Sequence, residues 1–360
     1  MTERITPATQ AAGRATPPSS DEHRRVEEAA ARAGQRESTF ARIMASSAGR
    51  NMGLVVGLLI IIAIGVITAG DRFATFDNMM TILRYASIIG VVSIGMTFVI
   101  AGGGIDLSVG AIVALASVWA TTVATQTMAA DSHWIVMVFA ALAVGAGCGL
   151  VNGVLVAYGR MAPFIVTLAM LAAARGLAEI ISQRRTQIVD VRDFLSFFGG
   201  SVLGVPVLVI IFALVAAAGW VLLNRTTFGR RTLAVGGNSE AARLAGIKVQ
   251  RHTMMLFVLL GVACGIAAVM LMVRTTTGTS THGLLLELDA IAAVVIGGTL
   301  LSGGRGTIVG TVFGVLIFAT LTNIFTLNNL DTSTQNVAKG AIIVAAVLLQ
   351  QRVAARNGGT

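Results

Sequence analysis

The sequence predicts an all-α, polytopic bundle of transmembrane helices, about ten spans with some short or broken, N-in and C-in. Three observations predict it. Hydrophobic residues make up 55% of the 360-residue chain and charged residues only 12%, about half the charged share of a water-soluble domain. The apolar residues gather into runs at 52–69, 86–101, 107–125, 134–157, 163–181, 206–223, 253–273, 289–301, 308–325 and 337–350. Basic residues collect between the runs, with a bias to one side of the alternation.

Residues 1–50 are polar, with Pro17-Pro18 and the mixed charges Asp21-Glu22-His23-Arg24-Arg25. They read as a disordered cytoplasmic tail with a short helix over 26–36. The first apolar run begins near Met52, too late for a cleavable signal peptide. Residues 51–351 form the membrane domain, and 352–360 a cytoplasmic tail. Most runs can cross a bilayer, but 86–101 and 289–301 are short for a full span. Short segments beside Gly-rich breaks are the mark of discontinuous or tilted helices in transporters. With the N-terminus inside, 1–50, 158–162, 224–251, 302–307 and the C-terminal tail face the cytoplasm. These carry Arg160, Arg225, Arg230, Arg231, Arg243, Lys248 and Arg305, among others. The opposite side carries fewer basic residues, although 182–205 holds Arg184, Arg185 and Arg192 against the bias. The net charge of +9 is therefore topological. Nucleic acid is not a partner, since no basic stripe carries interleaved aromatics.

Gly145, Gly149 and Gly153 recur every four residues, as do Gly261 with Gly265 and Gly310 with Gly314. Such stripes let helix backbones approach closely, within one bundle or between two copies. Two segments echo one another. Ile94-Gly95-Met96-Thr97 with Gly102–Gly104 and Gly110 parallels Ile296-Gly297-Gly298-Thr299 with Gly303-Gly304 and Gly310. Duplication or chance similarity of Gly-rich segments accounts for this. In the run 101–110, three glycines break a helix, and Asp106 or Ser108 caps the next one or lines a gate or path. Arg175 and Glu179, four apart in an apolar run, are placed to pair. Glu287 and Asp289 precede a short helix, where acids complement the dipole or contact an external partner. Within 224–251, Asn238 or Ser239 caps a short cytoplasmic helix with Glu240 in its first turn, and Gly246 stops it. Thr97, Asn152, Thr167, Thr299 and Asn323, with Ser108 and nearby Phe98 and Phe164, are the polar and aromatic candidates for a path. Each also has a bland role in bonding a neighbouring helix.

No GxxxxGK[ST] phosphate loop is present, and the only lysines are Lys248 and Lys339. The four histidines are scattered, no metal-ligand spacing occurs, and Cys148 and Cys264 lie in apolar runs as inert thiols. An enzyme finds no catalytic constellation here. An ion-coupled secondary transporter would need an intramembrane ion-binding set, and only Asp106, Arg175 and Glu179 are on offer.

Several long motifs, in order, resemble one known family. Gly104-Ile105-Asp106-Leu107-Ser108-Val109-Gly110 resembles the hallmark of the ribose/xylose/arabinose-type ABC import permeases, relatives of branched-chain amino acid permeases. Pro163–Leu168, the loop Arg225–Val249, and Leu288–Thr299 followed by Leu301–Thr307 are similar to further segments of that family. Ala111, Ala162 and Ala169 depart from its usual Ser, Pro and Gly. The resemblance spans roughly residues 52–350. It implies a non-catalytic transport subunit of a bacterial inner membrane that binds no cofactor itself. A partner ABC ATPase uses ATP and Mg, docking at 224–251 through Gly237, Asn238, Glu240, Arg243 and Gly246. A solute-binding protein delivers a simple sugar, and a second permease copy completes the path. The amino-acid branch of the group is the alternative.

Overall fold

The computed structural model describes residues 47–357, and the tail helix expected over 26–36 lies outside them. Helix α1 (Ser47–Ala69) is apolar on all sides from Met52 onward, and only 11% of its apolar window is buried by the chain. Such a helix belongs at the lipid-facing rim. Helix α2 (Phe76–Ala101) is the opposite case, with 78% of its window buried. It runs ten residues further toward the N-terminus than the apolar run 86–101 suggests, because Thr75 caps it by accepting from Asn78 N–H at 3.1 Å.

The chain then unwinds over 102–108 and resumes as α3 (Val109–Ala120), only 12 residues long and almost wholly buried. Helix α4 (Val123–Asp131) follows at a 56° bend. Helices α5 (Ile135–Ala157) and α6 (Pro163–Ser182), the latter with Pro at its start, lead to strand β1 (Gln187–Ile188) and the short helix α7 (Arg192–Gly199). Strands β2 (Ser201–Val202) and β3 (Val205–Pro206) form a two-stranded turn before α8 (Val207–Arg225). Helices α9 (Thr227–Gly237) and α10 (Ser239–Leu244) are short, and α11 (Val249–Thr275) is long and central. Strand β4 (Thr277–Gly278) pairs with β1. Helix α12 (Leu286–Ile296), 11 residues, precedes α13 (Ile308–Leu327) and α14 (Thr332–Asn357). Among the described residues the only strands are these two-residue pieces, so the fold is helical.

Seven described helices are long and apolar enough to cross a membrane, and α3 with α4 makes a bent eighth. Of the two segments expected to be short, 289–301 is so, as the 11-residue α12, whereas 86–101 belongs to the 26-residue α2; the second half-length helix is α3, in the run 107–125, and α3 and α12 each adjoin an unwound stretch.

The glycine stripes build the core. The stripe of α5 lies on that of α11: a methyl group placed on Gly149 would stand 2.4 Å from the Phe257 carbonyl oxygen, and one on Gly145 2.3 Å from that of Gly261. The close approach is within one chain, which selects one of the two uses left open by the sequence. Gly310 and Gly314 do the same for α13 against α12, meeting the Gly297 and Ala293 carbonyls.

Two sets of contacts define the ends of the bundle. At one end the C-terminus of α2, the starts of α6 and α11, and the α9–α10 segment surround one cavity with Ser302. At the other, β1 after α6 pairs with β4 after α11, and Thr121 at the end of α3 donates to Gln187 Oε1 at 2.7 Å. Trp134 stacks on Phe197 there, ring centroids 4.8 Å apart, an aromatic anchor of the kind found at membrane interfaces.

Candidate functional site

The polar loop 224–251 folds as two helices rather than the single one expected. Thr226 caps α9, and Asn238 caps α10 by accepting from Ala241 N–H at 2.9 Å. The sequence reading missed α9 because its outer residues, Arg230 and Arg231, look like loop charge. Its inner face is Gly229, Thr232 and Val235, all buried. Thr232 bonds the His252 ring at 2.9 Å, and Phe228 packs on that ring at 4.6 Å, fixing α9 beneath α11. Helix α10 then projects outward. Glu240 and Arg243 pair across one turn at 2.5 Å, and Leu244 is 76% exposed. The Arg243 hydrogen bonds hold the Glu240 carboxyl below its usual range, so both groups stay charged. Gly246 ends the helix at φ +83°, and Gly237 sits at the joint between α9 and α10. The five coupling candidates thus form one protruding knuckle.

The break at 102–108 is held by a buried polar cluster. Asp106 Oδ1 accepts from Ser108 N–H at 2.8 Å and Ser108 Oγ at 2.5 Å. Asn152 of α5 donates to Asp106 Oδ2 at 3.2 Å and to Ser108 Oγ at 3.0 Å. Thr167 of α6 donates within its own helix and reaches the Ile105 carbonyl at 3.5 Å. Asp106 is 1% exposed, and Ser108, Asn152 and Thr167 are fully buried. Ser108 is the N-cap residue of α3 but makes no capping bond; Asp106 orders the turn instead. Unwound backbone at membrane depth survives only where protein satisfies its polar groups.

The break at 279–285 has the opposite staple. Arg175 Nη1 donates to the Ser280 carbonyl, and to the His282 carbonyl at 2.9 Å. His282 bonds Ser117 at 3.0 Å and Thr275 at 3.2 Å. This corrects the expected Arg175–Glu179 pair. Glu179 instead pairs with Arg184 at 2.9 Å, near the helix end, and Arg175 is drawn toward the carbonyls of the unwound segment. Glu287 and Asp289 lie in the first turn of α12. Asp289 also binds Lys339 of α14 at 3.1 Å, with Tyr85 donating to the same carboxylate at 3.4 Å.

The remaining candidates fall elsewhere. Thr97 shares a 2.8 Å hydrogen bond with Thr311, joining α2 to α13. Thr299 is buried just after α12. Asn323 exchanges hydrogen bonds with Asn78 at 3.1 and 2.8 Å, away from these two breaks. Phe164 is 55% exposed, on the outside of α6, while Thr167 on the same helix is buried. Only Asp106, Ser108, Asn152 and Thr167 are brought together. The reading missed the Lys339–Asp289 pair, whose signal was a lone lysine in an apolar run; the partners stand 50 residues apart. No group of three or more metal-ligating side chains occurs among the described residues.

A family described as "Branched-chain amino acid transport system / permease component" matches residues 78–347, from α2 into α14. The chain belongs to this permease family. It is 41% identical over 308 residues to the ribose import permease protein of Bacillus subtilis (strain 168), covering 85% of this chain and 94% of the relative. The corresponding protein of Escherichia coli (strain K12) is 39% identical over 302 residues, covering 83% and 92%. An L-arabinose ABC transporter permease protein of Azospirillum brasilense is 40% identical over 302 residues, covering 83% and 87%. No solved structure matches. The permease is thus a multi-pass membrane protein of the bacterial inner membrane.

Proposed function

We propose that this permease is the membrane-spanning subunit of an ABC importer for a simple sugar. A solute-binding protein hands over the sugar outside, and a separate ATPase with its ATP and Mg drives the cycle inside. A second permease, the same chain or a paralogue, completes the path. The relatives named for ribose and L-arabinose support the substrate class. The observation that carries the coupling is the α9–α10 knuckle: a capped, charged helix with an exposed leucine, at the end where three helices converge.

Ten passages accommodate the two-ended packing. They are α1, α2, 102–108 with α3, α5, α6, α8, α11, 279–285 with α12, α13 and α14. Alternating direction puts the knuckle and both termini on one side, and its basic residues make that side the cytoplasm. Transport then requires the ATPase to bias two states of the membrane helices through the knuckle.

The test is uptake into proteoliposomes holding the permease, its ATPase and the binding protein, with labelled pentoses, hexoses and branched-chain amino acids offered in turn. Uptake of one sugar that ceases without ATP or without the ATPase is the expected result. Unaided movement of solute by the permease, or uptake confined to amino acids, would overturn the reading.

A further inference from the structure

At the knuckle end, three backbones meet with almost no side chain between them. Gly304 N–H donates to the Ala101 carbonyl at 2.9 Å, tying the stretch after α12 to the end of α2. Gly236, in the last turn of α9, sits on the same spot. A methyl group there would stand 1.9 Å from the Ala101 carbonyl oxygen and 2.7 Å from the Gly304 nitrogen. Gly303 closes the other side, where an added methyl would lie 2.7 Å from the Gly236 carbonyl oxygen and 3.0 Å from the Gly103 Cα. No side chain larger than hydrogen fits at Gly236 without parting the three.

Such a junction transmits displacement differently from an ordinary helix contact. A flexible side chain absorbs a small shift by changing rotamer, whereas close-packed backbone has nothing to yield and passes strain on. The two segments that α9 bears upon lead directly to the two broken elements: Ala101 opens the 102–108 break before α3, and Gly304 lies between α12 and α13. Beside the knot is a cavity of about 450 Å³, reached by Gly104, Pro163, Ser239, Thr253, Phe257 and Ser302.

We propose that the Gly236–Ala101–Gly304 knot is the element that carries the ATPase stroke into the membrane, moving the 102–108 break and the C-terminal end of α12 together. This rests on the reading of the chain as an ABC importer subunit. Gly236, Gly303 and Gly304 are then positioning residues, acting through the breaks and not on the sugar.

Ser239 and Ser302 both line that cavity, and both are exposed. The test introduces Ser239→Cys and Ser302→Cys into a chain carrying Cys148→Ala and Cys264→Ala, assembled with cysteine-free partners. A linker with two thiol-reactive ends and an internal disulfide ties the cavity shut, and reductant releases it. Bridging is expected to keep uptake within about twofold, because the knot already moves Ser239 and Ser302 as one body. Each single cysteine, blocked by a one-ended reagent of similar bulk, is expected to keep uptake within about twofold. A bridged complex that loses uptake at least about tenfold, regained on reduction, would overturn the proposal, since the two sides would then have to move apart in each cycle. Lack of ATP-dependent uptake by the unmodified complex would overturn the transport reading, and this proposal with it.

Discussion

Asp106 and Arg175 each hold a stretch of unwound backbone, one acting on each break. Asp106 serves donors, the Ser108 N–H and Oγ and the Asn152 amide, whereas Arg175 serves acceptors, the Ser280 and His282 carbonyls. Sign follows need: a carboxylate where donors are stranded, a guanidinium where carbonyls are. Asp106→Ala strands buried donors at about 1–3 kcal/mol each, so it is expected to lower the melting temperature of the detergent-solubilised protein. Asp106→Asn, which still accepts, is expected to lower it less. If Asp106→Asn also assembles with the ATPase yet loses uptake, Asp106 has a path or gating role beyond ordering the turn; unchanged uptake leaves it a staple. Arg175→Met removes the donor from two carbonyls and is expected to destabilise in the same range, about 1–3 kcal/mol for each group left unpaired. The same melting measurement checks it.

Helix contacts set the next scale. Two glycines of α5, two residues apart, differ entirely in their surroundings: Gly149 abuts the backbone of α11, while nothing lies within 4 Å of a methyl placed on Gly147. Gly147→Ala is therefore expected to be neutral or slightly stabilising, and Gly149→Ala to cost about 1–3 kcal/mol through overpacking. Folded yield by size-exclusion chromatography separates them. Helix α14 packs on α12, and its firmest link is Lys339 to Asp289, both side chains largely buried. Removing one partner of such a pair costs about 3–5 kcal/mol, because the other charge is left uncompensated. Lys339→Ala is expected to loosen α14, read as faster proteolysis of the C-terminal segment. The double change Lys339→Asp with Asp289→Lys should recover part of the loss, whereas additive damage would deny the pair its role.

The whole molecule divides labour between a lipid-facing rim, such as α1, a buried axis of α2 and α11, and a polar knuckle outside the bundle. The Glu240–Arg243 pair is exposed, so it adds little to folding; on the proposed reading its value lies in the pattern of charge shown to the ATPase. Exchanging the two, Glu240→Arg with Arg243→Glu, is expected to leave folding unchanged while separating ATP hydrolysis from uptake, as measured in proteoliposomes. Normal coupled transport by that double variant would remove the knuckle from the coupling role. Much of this was legible beforehand. The apolar runs located α1, α5, α6, α8 and α13, and Asn238, Glu240 and Gly246 marked α10. Helix α9 was not legible, because its buried face is only Gly229, Thr232 and Val235 amid arginines. The partner of Arg175 was misplaced for a related reason: a residue four positions along is visible in the sequence, but carbonyls more than a hundred residues away are not.

The amino-acid sequence alone determined that this chain dissolves in lipid, that a helix breaks at Gly102–Gly104, and which loop is exposed and charged. Those properties follow from local composition, from glycine clusters and from capping residues, and they need no knowledge of neighbours. Only the tertiary structure decided that Asp106 meets Asn152, that Asp289 meets Lys339, and that Gly236 rests on Ala101 and Gly304. These are contacts between distant segments, and glycine leaves no side-chain signature of what it touches. Their partners are fixed by how whole helices pack, which no short stretch of sequence encodes.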